Sequence, residues 1–209
     1  MELRTYVLID SMQPQYAALT GKIFSGSVAV EDMAQAFVEV APASSIYELM
    51  DAALKAAQVR PGGLNVERVY GSFEIHSAHQ ESVRVAGAAA LRVAGLTQND
   101  REKPEVVSAR VVTGIDPYEV QNINKTARGG LLLARQTLCV IEVTPAAYVV
   151  LAANEAEKAA NITLIDYRGT GAFGRLYIGG TESEVMIARD AAVRSVEALS
   201  GRPPARPKA

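Results

Sequence analysis

A single displacement of 103 residues lays one half of this chain on the other. Under it Glu39 falls on Glu142, Lys55 on Lys158, Pro14 on Pro117, Lys22 on Lys125, Gly26 on Gly129, Pro42 on Pro145, Gly71 on Gly174 and Leu96 on Leu199. The displacement is constant almost from end to end, so no loop has been gained or lost, and a register of that length does not arise by chance. The chain is therefore two copies of one unit of roughly 100 residues, an ordinary domain size. The sequence places the first domain at residues 1–97 and the second at 105–201, joined by the polar, proline-ended linker T-Q-N-D-R-E-K-P. The tail at 202–209, R-P-P-A-R-P-K-A, has no apolar anchor and the composition of a disordered end.

Each copy reads alike. Residues 5–9 and 109–112 alternate as strands, and a segment of mixed signals follows up to Ala34 and Thr137. F-V-E-V-A-P and V-I-E-V-T-P then give a second strand closed by a proline that opens a helix. In copy one that helix begins with Ser45 and Glu48 at capping-box spacing and carries Ile46, Leu49, Met50, Ala53, Leu54 and Ala57 on one face. Two short strands, V-E-R-V-Y and S-F-E-I-H, are expected to meet near Gly71, and an alanine-rich helix ends the unit, introduced in copy two by Thr181 and Glu184. The order predicts an α+β fold with helices on one side of an antiparallel sheet, and two compact cores.

Charge and length exclude several classes of function. Lys and Arg number 21 against 23 acids, for a formal charge of −2, so there is no basic surplus with which to displace counterions from nucleic acid. No apolar run approaches the ~20 residues of a membrane span. The single Cys139 lies in the apolar run L-C-V-I-E-V, where a thiol acts as a small hydrophobe, and this fits a reducing, cytoplasmic setting.

The runs V-E-V-A-P…A-A-L-K-A-A-Q-V and I-E-V-T-P…A-E-K-A-A-N-I resemble the signature of bacterial microcompartment shell proteins. In the common form of that family the glutamate-bearing strand opens the domain. Here it comes later in each copy, so the chain resembles the tandem, circularly permuted branch. That likeness implies two ferredoxin-like shell domains, a homotrimer shaped like a hexagon, tiling with other shell proteins, and for some relatives two trimers stacked face to face. The stretch E-R-V-Y-G-S-F-E-I-H-S-A-H-Q resembles the segment that carries a gated central pore in these proteins. The resemblance makes Glu67 and Arg68 the gate and puts Val69, Tyr70, Gly71, Gly169, Thr170 and Gly171 in the pore loops, through which small polar metabolites would pass. Adjacent residues of an extended segment point to opposite sides, so one backbone flip would exchange which of Glu67 and Arg68 faces the axis. Copy two has Thr170 and Gly171 there, flexible backbone without charge. Lys55 and Lys158 match the family's tile-edge lysine, whose stem can lie along a helix while its ammonium donates to the next tile.

Other chemistry finds little support in the sequence. Gly169, Gly171 and Gly174 spell G-x-G-x-x-G, but a strand pattern follows and not the helix a dinucleotide site requires. His76 and His79 have no third ligand at convincing spacing, so no metal is expected. No nucleophile elbow, phosphate loop or catalytic pair is present, so neither an enzyme nor a cofactor is expected. The competing reading is a small-molecule sensor of ferredoxin-like tandem domains, with a ligand in the clefts between the copies.

Overall fold

A computed structural model describes residues 1–203. Copy one forms β1 (Glu2–Ile9), α1 (Pro14–Ile23), β2 (Ala34–Ala41), α2 (Ile46–Ala56), β3 (Arg60–Glu67), β4 (Tyr70–Ser77) and α3 (Gln80–Val93). Copy two repeats the order with β5 (Glu105–Val112), α4 (Pro117–Asn124), β6 (Thr137–Thr144), α5 (Val149–Ala159), β7 (Thr163–Arg168), β8 (Gly174–Gly180) and α6 (Glu182–Glu197). The described residues make two antiparallel four-stranded sheets, β1-β2-β4-β3 and β5-β6-β8-β7. Even the irregularities are duplicated. Register shifts fall between Leu3 and Thr5 and between Val106 and Ser108, and again between Pro61 and Gly63 and between Leu164 and Asp166.

Two pairs of glycines explain why the register could not drift. A side chain at Gly71 would strike the carbonyl oxygen of Ala43, and one at Gly174 would strike that of Ala146, the same atom one copy later. Gly26 donates its N–H to Gly62 O at 2.8 Å, and Gly129 donates to Ile165 O at 2.8 Å, so the loop after each first helix runs along the edge of its sheet. A Cβ at either glycine would collide with that edge backbone.

On one face of the first sheet, α2 buries Ile46, Leu49, Met50 and Ala53, and α3 buries Val83, Ala86, Ala90 and Leu91. Leu54, expected on the same face, stays 38% exposed. The opposite face carries a helix that the sequence reading left as mixed signals, α1 in copy one and α4 in copy two. Their apolar stripes are short, Tyr16, Leu19 and Ile23 in α1 and Val120 and Ile123 in α4, and α1 packs against copy two as well as its own sheet. Nor are there two separate cores. One buried cluster joins Val7, Met12, Tyr16, Leu19 and Phe37 of copy one to Cys139, Ile141, Tyr148, Tyr167 and Ile178 of copy two.

The caps also differ from expectation. Ser45 ends a short 3-10 turn (Ala43–Ser45) in helical conformation and makes no side-chain cap bond, since a capping hydroxyl needs extended backbone to reach the next N–H groups. Thr181 does cap, accepting from the Glu184 N–H at 3.4 Å, while the Glu184 carboxylate accepts from Asn161 N at 2.9 Å in place of closing the box. The linker is docked. Thr97 and Asp100 form a reciprocal capping box, and Glu102 N donates to Arg4 O at 3.1 Å. Arg202 is fixed as well, in a bridge with Glu102 and with its guanidinium 3.9 Å from that carboxylate, so the tail does not begin at 202. The remainder of the expected tail, 204–209, lies outside the described residues.

Candidate functional site

The two loops singled out by sequence come together within one chain. Glu67 closes β3, Tyr70 opens β4, and Arg68 and Val69 form the two-residue turn between them. In copy two the loop 169–173 joins β7 to β8. Glu67, Arg68, Val69, Tyr70, Gly171 and Ala172 line one cleft of about 160 Å³. Gly169 and Thr170 face a second cleft of about 320 Å³ between the copies, with Phe24 and Phe37 on one wall and Arg128, Arg168 and Arg175 on the other.

Arg68 does not stand in extended backbone. Its φ is +52°, the left-handed region at the first position of a hairpin turn, where glycine is usual and other residues are strained. The strand-flip argument therefore does not apply as stated: the movable unit is the turn. Gly71 also lies elsewhere than expected, two residues past the turn and buried in β4 opposite Val40 and Val66. Val66 and Val69 are 43% and 60% exposed, an apolar surface at the hairpin tip beside the charges of Glu67 and Arg68.

Behind the turn, Tyr70 is held by Arg4, whose guanidinium carbon sits 3.8 Å from the ring centroid. Arg4 Nε also donates to Glu39 at 3.2 Å, and Thr5 Oγ1 donates to the same carboxylate at 3.4 Å. Burial pushes the Glu39 pKa up to about 7, outweighing the nearby Arg4 charge. In copy two the arginine has moved: Arg175 Nε donates to Glu142 at 2.6 Å, with Ser108 Oγ at 3.1 Å standing for Thr5. The Arg175 hydrogen bond lowers the Glu142 pKa, outweighing the cost of that carboxylate's partial burial.

The other sequence candidates are dispersed. Lys55 and Lys158 are exposed in the last turns of α2 and α5, with Lys55 Nζ 2.6 Å from Asp51 and Lys158 Nζ 4.0 Å from Glu155. His79 precedes α3 without a side-chain cap bond, whereas His76 is fully buried with Nδ1 3.1 Å from Glu74. That pair belongs to a chain the sequence did not signal: Tyr16 Oη donates to Gln35 at 2.6 Å, and Gln35 Nε2 donates to Glu74 at 3.1 Å. Cys139 is buried, and its thiol pKa is pushed up to about 11.

This duplicated sheet-and-helix arrangement has close counterparts. The chain is 46% identical over 202 residues to carboxysome shell protein CcmP of Synechococcus elongatus, covering 97% of this chain and 95% of the relative. The chain belongs to the bacterial microcompartment shell proteins. Carboxysome shell protein CsoS1D of Prochlorococcus marinus is 39% identical, over 96% of this shell protein and 78% of its own length. Residues 3–100 match the CsoS1D N-terminal domain family, and residues 137–202 match the BMC domain family. Among solved structures, the fused permuted hexameric shell protein MSM0275 from the RMM microcompartment superposes with TM-score 0.91 at 38% identity, covering 96% of this chain and 100% of that one. The double ringed trimeric shell protein MSM0271 from the same microcompartment gives TM-score 0.93 at 37% identity, covering 97% and 99%. The permuted tandem fold expected from the sequence is thus the fold of this shell family.

Proposed function

We propose that this chain is a structural tile of a bacterial microcompartment shell, a homotrimer with the outline of a hexagon and a gated pore on its threefold axis, and that it performs no catalysis. The observation that carries the gate is the meeting of the Glu67–Tyr70 hairpin with the Gly171–Ala172 backbone around one cleft. Three such clefts around an axis would surround a pore with three Glu67 and three Arg68 side chains and no net charge. Partly solvated ion pairs are worth about 0–1 kcal/mol each, so a closed ring would be held by a few kcal/mol at most. A left-handed arginine adds strain of about 1–2 kcal/mol to the turn, which biases it towards a second conformation. A pore ligand can reverse a preference of that size.

Lys55 and Lys158 fit the tile edge, being exposed at equivalent positions. Two trimers stacked face to face suit a further repeat. Val28 and Val30 of copy one are 65% and 52% exposed, and Leu131 and Leu133, at the same register in copy two, are 62% and 60% exposed. In a trimer that makes an apolar motif recurring around one face.

Native mass and negative-stain imaging of one chromatographic peak test the tile. Hexagonal plates of three or six chains are expected, and a chain that stays monomeric at high concentration would overturn the reading. The gate is tested by permeation of an anion and a cation of equal size through assembled shells with Arg68→Ala. Altered selectivity is expected; unchanged selectivity would remove Arg68 from the pore.

A further inference from the structure

The Glu67–Tyr70 hairpin is anchored through its last residue. From Gly71 onward β4 has no room to move, since even a Cβ there would strike the Ala43 carbonyl oxygen. Ahead of that fixed point, Arg68 stands in the left-handed region at φ +52°, a strain that a shift of the turn relieves. Tyr70 lies between the fixed strand and the strained turn, and its ring is covered by Arg4, whose guanidinium carbon is 3.8 Å from the centroid. Arg4 comes from β1, and its side chain is only 13% exposed.

Arg4 is shared between two carboxylates. Its Nε donates to Glu39 of β2 at 3.2 Å, and its Nη1 lies 3.7 Å from Glu102 of the linker. The groups that face Glu39 come from every side: Arg4 and Thr5 from β1, Ser72 opposite it in β4, Glu102 from the linker, and Tyr148 from the turn before α5. Glu102 is in turn 3.9 Å from Arg202, which also reaches Glu2 at 4.0 Å. Two carboxylates around one guanidinium favour uptake of a proton by the one with less water and fewer other cations, and that one is Glu39. Burial sets this step at about pH 7. The displacement of 103 residues shows that the cluster belongs to the charged loop alone. It carries Arg4 to Val107, Tyr70 to Phe173 and Ser72 to Arg175. In copy two the arginine therefore comes from β8 and donates to Glu142, while Phe173 and Val107 are 42% and 45% exposed.

We infer that Arg4 is the positioning residue of the gate: it latches the hairpin through Tyr70 while Glu39 is charged, and releases it when Glu39 takes up a proton. With Glu39 charged, the bond from Nε is charge-assisted and keeps the guanidinium over the ring. With Glu39 neutral, the remaining countercharge is Glu102, and the guanidinium is drawn towards the linker and off Tyr70. The strained turn is then free to move to its second conformation. The inference rests on the gate reading and deepens it by naming what holds the hairpin and what releases it.

Hydrogen exchange of the full-length protein, read by mass spectrometry on peptides spanning residues 66–71, tests the latch. After correction for the intrinsic pH dependence of exchange, protection there is expected to fall roughly tenfold between about pH 8.5 and about pH 5.5, the scale of a desolvated cation–π contact. The midpoint is expected near pH 7. Glu39→Gln and Tyr70→Leu should each show the unprotected level at every pH. Glu102→Gln separates a switch from a prop. Without the rival carboxylate Arg4 is left to Glu39, so the midpoint should move about one pH unit lower, a shift that a merely structural role for Arg4 does not produce. A parent profile flat with pH, or a midpoint that Glu102→Gln leaves in place, would overturn the latch. Permeation through assembled shells at the two pH extremes keeps the latch and the gate apart. A loosened hairpin with unchanged permeation retains the latch and removes the gate. Altered selectivity in Arg68→Ala beside a flat exchange profile removes the latch and retains the gate.

Discussion

Glu39 and Glu142 occupy one register, yet their surroundings push them in opposite directions. Glu39 is buried, and its proton is held to about pH 7, whereas an unfolded chain loses it near 4.5. Between those values the folded state carries the extra proton, so this residue's contribution to stability falls as pH rises from 4.5 to about 7 and stays low above. Glu39→Gln should therefore gain stability relative to the parent at about pH 8 and little at about pH 4, read from thermal melts at one protein concentration. Equal pH slopes in the two proteins would mean that Arg4 cancels the burial cost. At Arg68, charge and conformation can be separated. Arg68→Gly relieves the left-handed strain and should stabilise the turn by about 1 kcal/mol, while Arg68→Ala removes the charge and keeps the strain. If the gate moves through this turn, Gly and Ala variants will differ in permeation although both lack the charge. Identical permeation would assign the effect to charge alone. The motif named Glu67 and Arg68 from sequence, but the turn conformation could not be read there, because arginine is not a residue that announces positive φ.

At the level of elements, strands and core helices were legible and the first helix of each copy was not. Strands β2 and β6 show themselves as apolar runs closed by proline, and α2 shows itself by its buried Ile46, Leu49, Met50 and Ala53. Helix α1 hides because it is short and partners that hold it, such as Glu157, lie more than 100 residues away in sequence. Glu157 is the clearest case: an apparently ordinary helix glutamate accepts two backbone N–H groups of another helix. Glu157→Ala should cost about 1–2 kcal/mol, the scale of a lost N-terminal cap, and speed hydrogen exchange at the start of α1 before the rest of the fold. Exchange that rises uniformly would place the effect elsewhere. The glycines at β4 and β8 make a sharper test of the repeat. Gly174→Ala must push against the Ala146 carbonyl and should destabilise by about 1–3 kcal/mol, as should Gly71→Ala against Ala43. A melting temperature unchanged in either would show that the close approach is not a constraint.

For the whole molecule, the exposed Lys55 and Lys158 are the residues proposed for association between tiles. Lys55→Asp together with Lys158→Asp is expected to leave trimers intact and to abolish extended sheets in electron micrographs; loss of the trimer itself would move these residues from the edge to the interface within the trimer. By itself the sequence determined the duplication, the permuted shell fold and the place of the two loops, because a constant register, alternating strands and a local motif are all properties of neighbours along the chain. Only the tertiary structure decided that the copies share a core, that α1 leans on α5 and that Arg68 is left-handed. Those facts depend on which surfaces meet across more than 100 residues, and a contact of that kind leaves in each partner only an unexplained polar or apolar side chain.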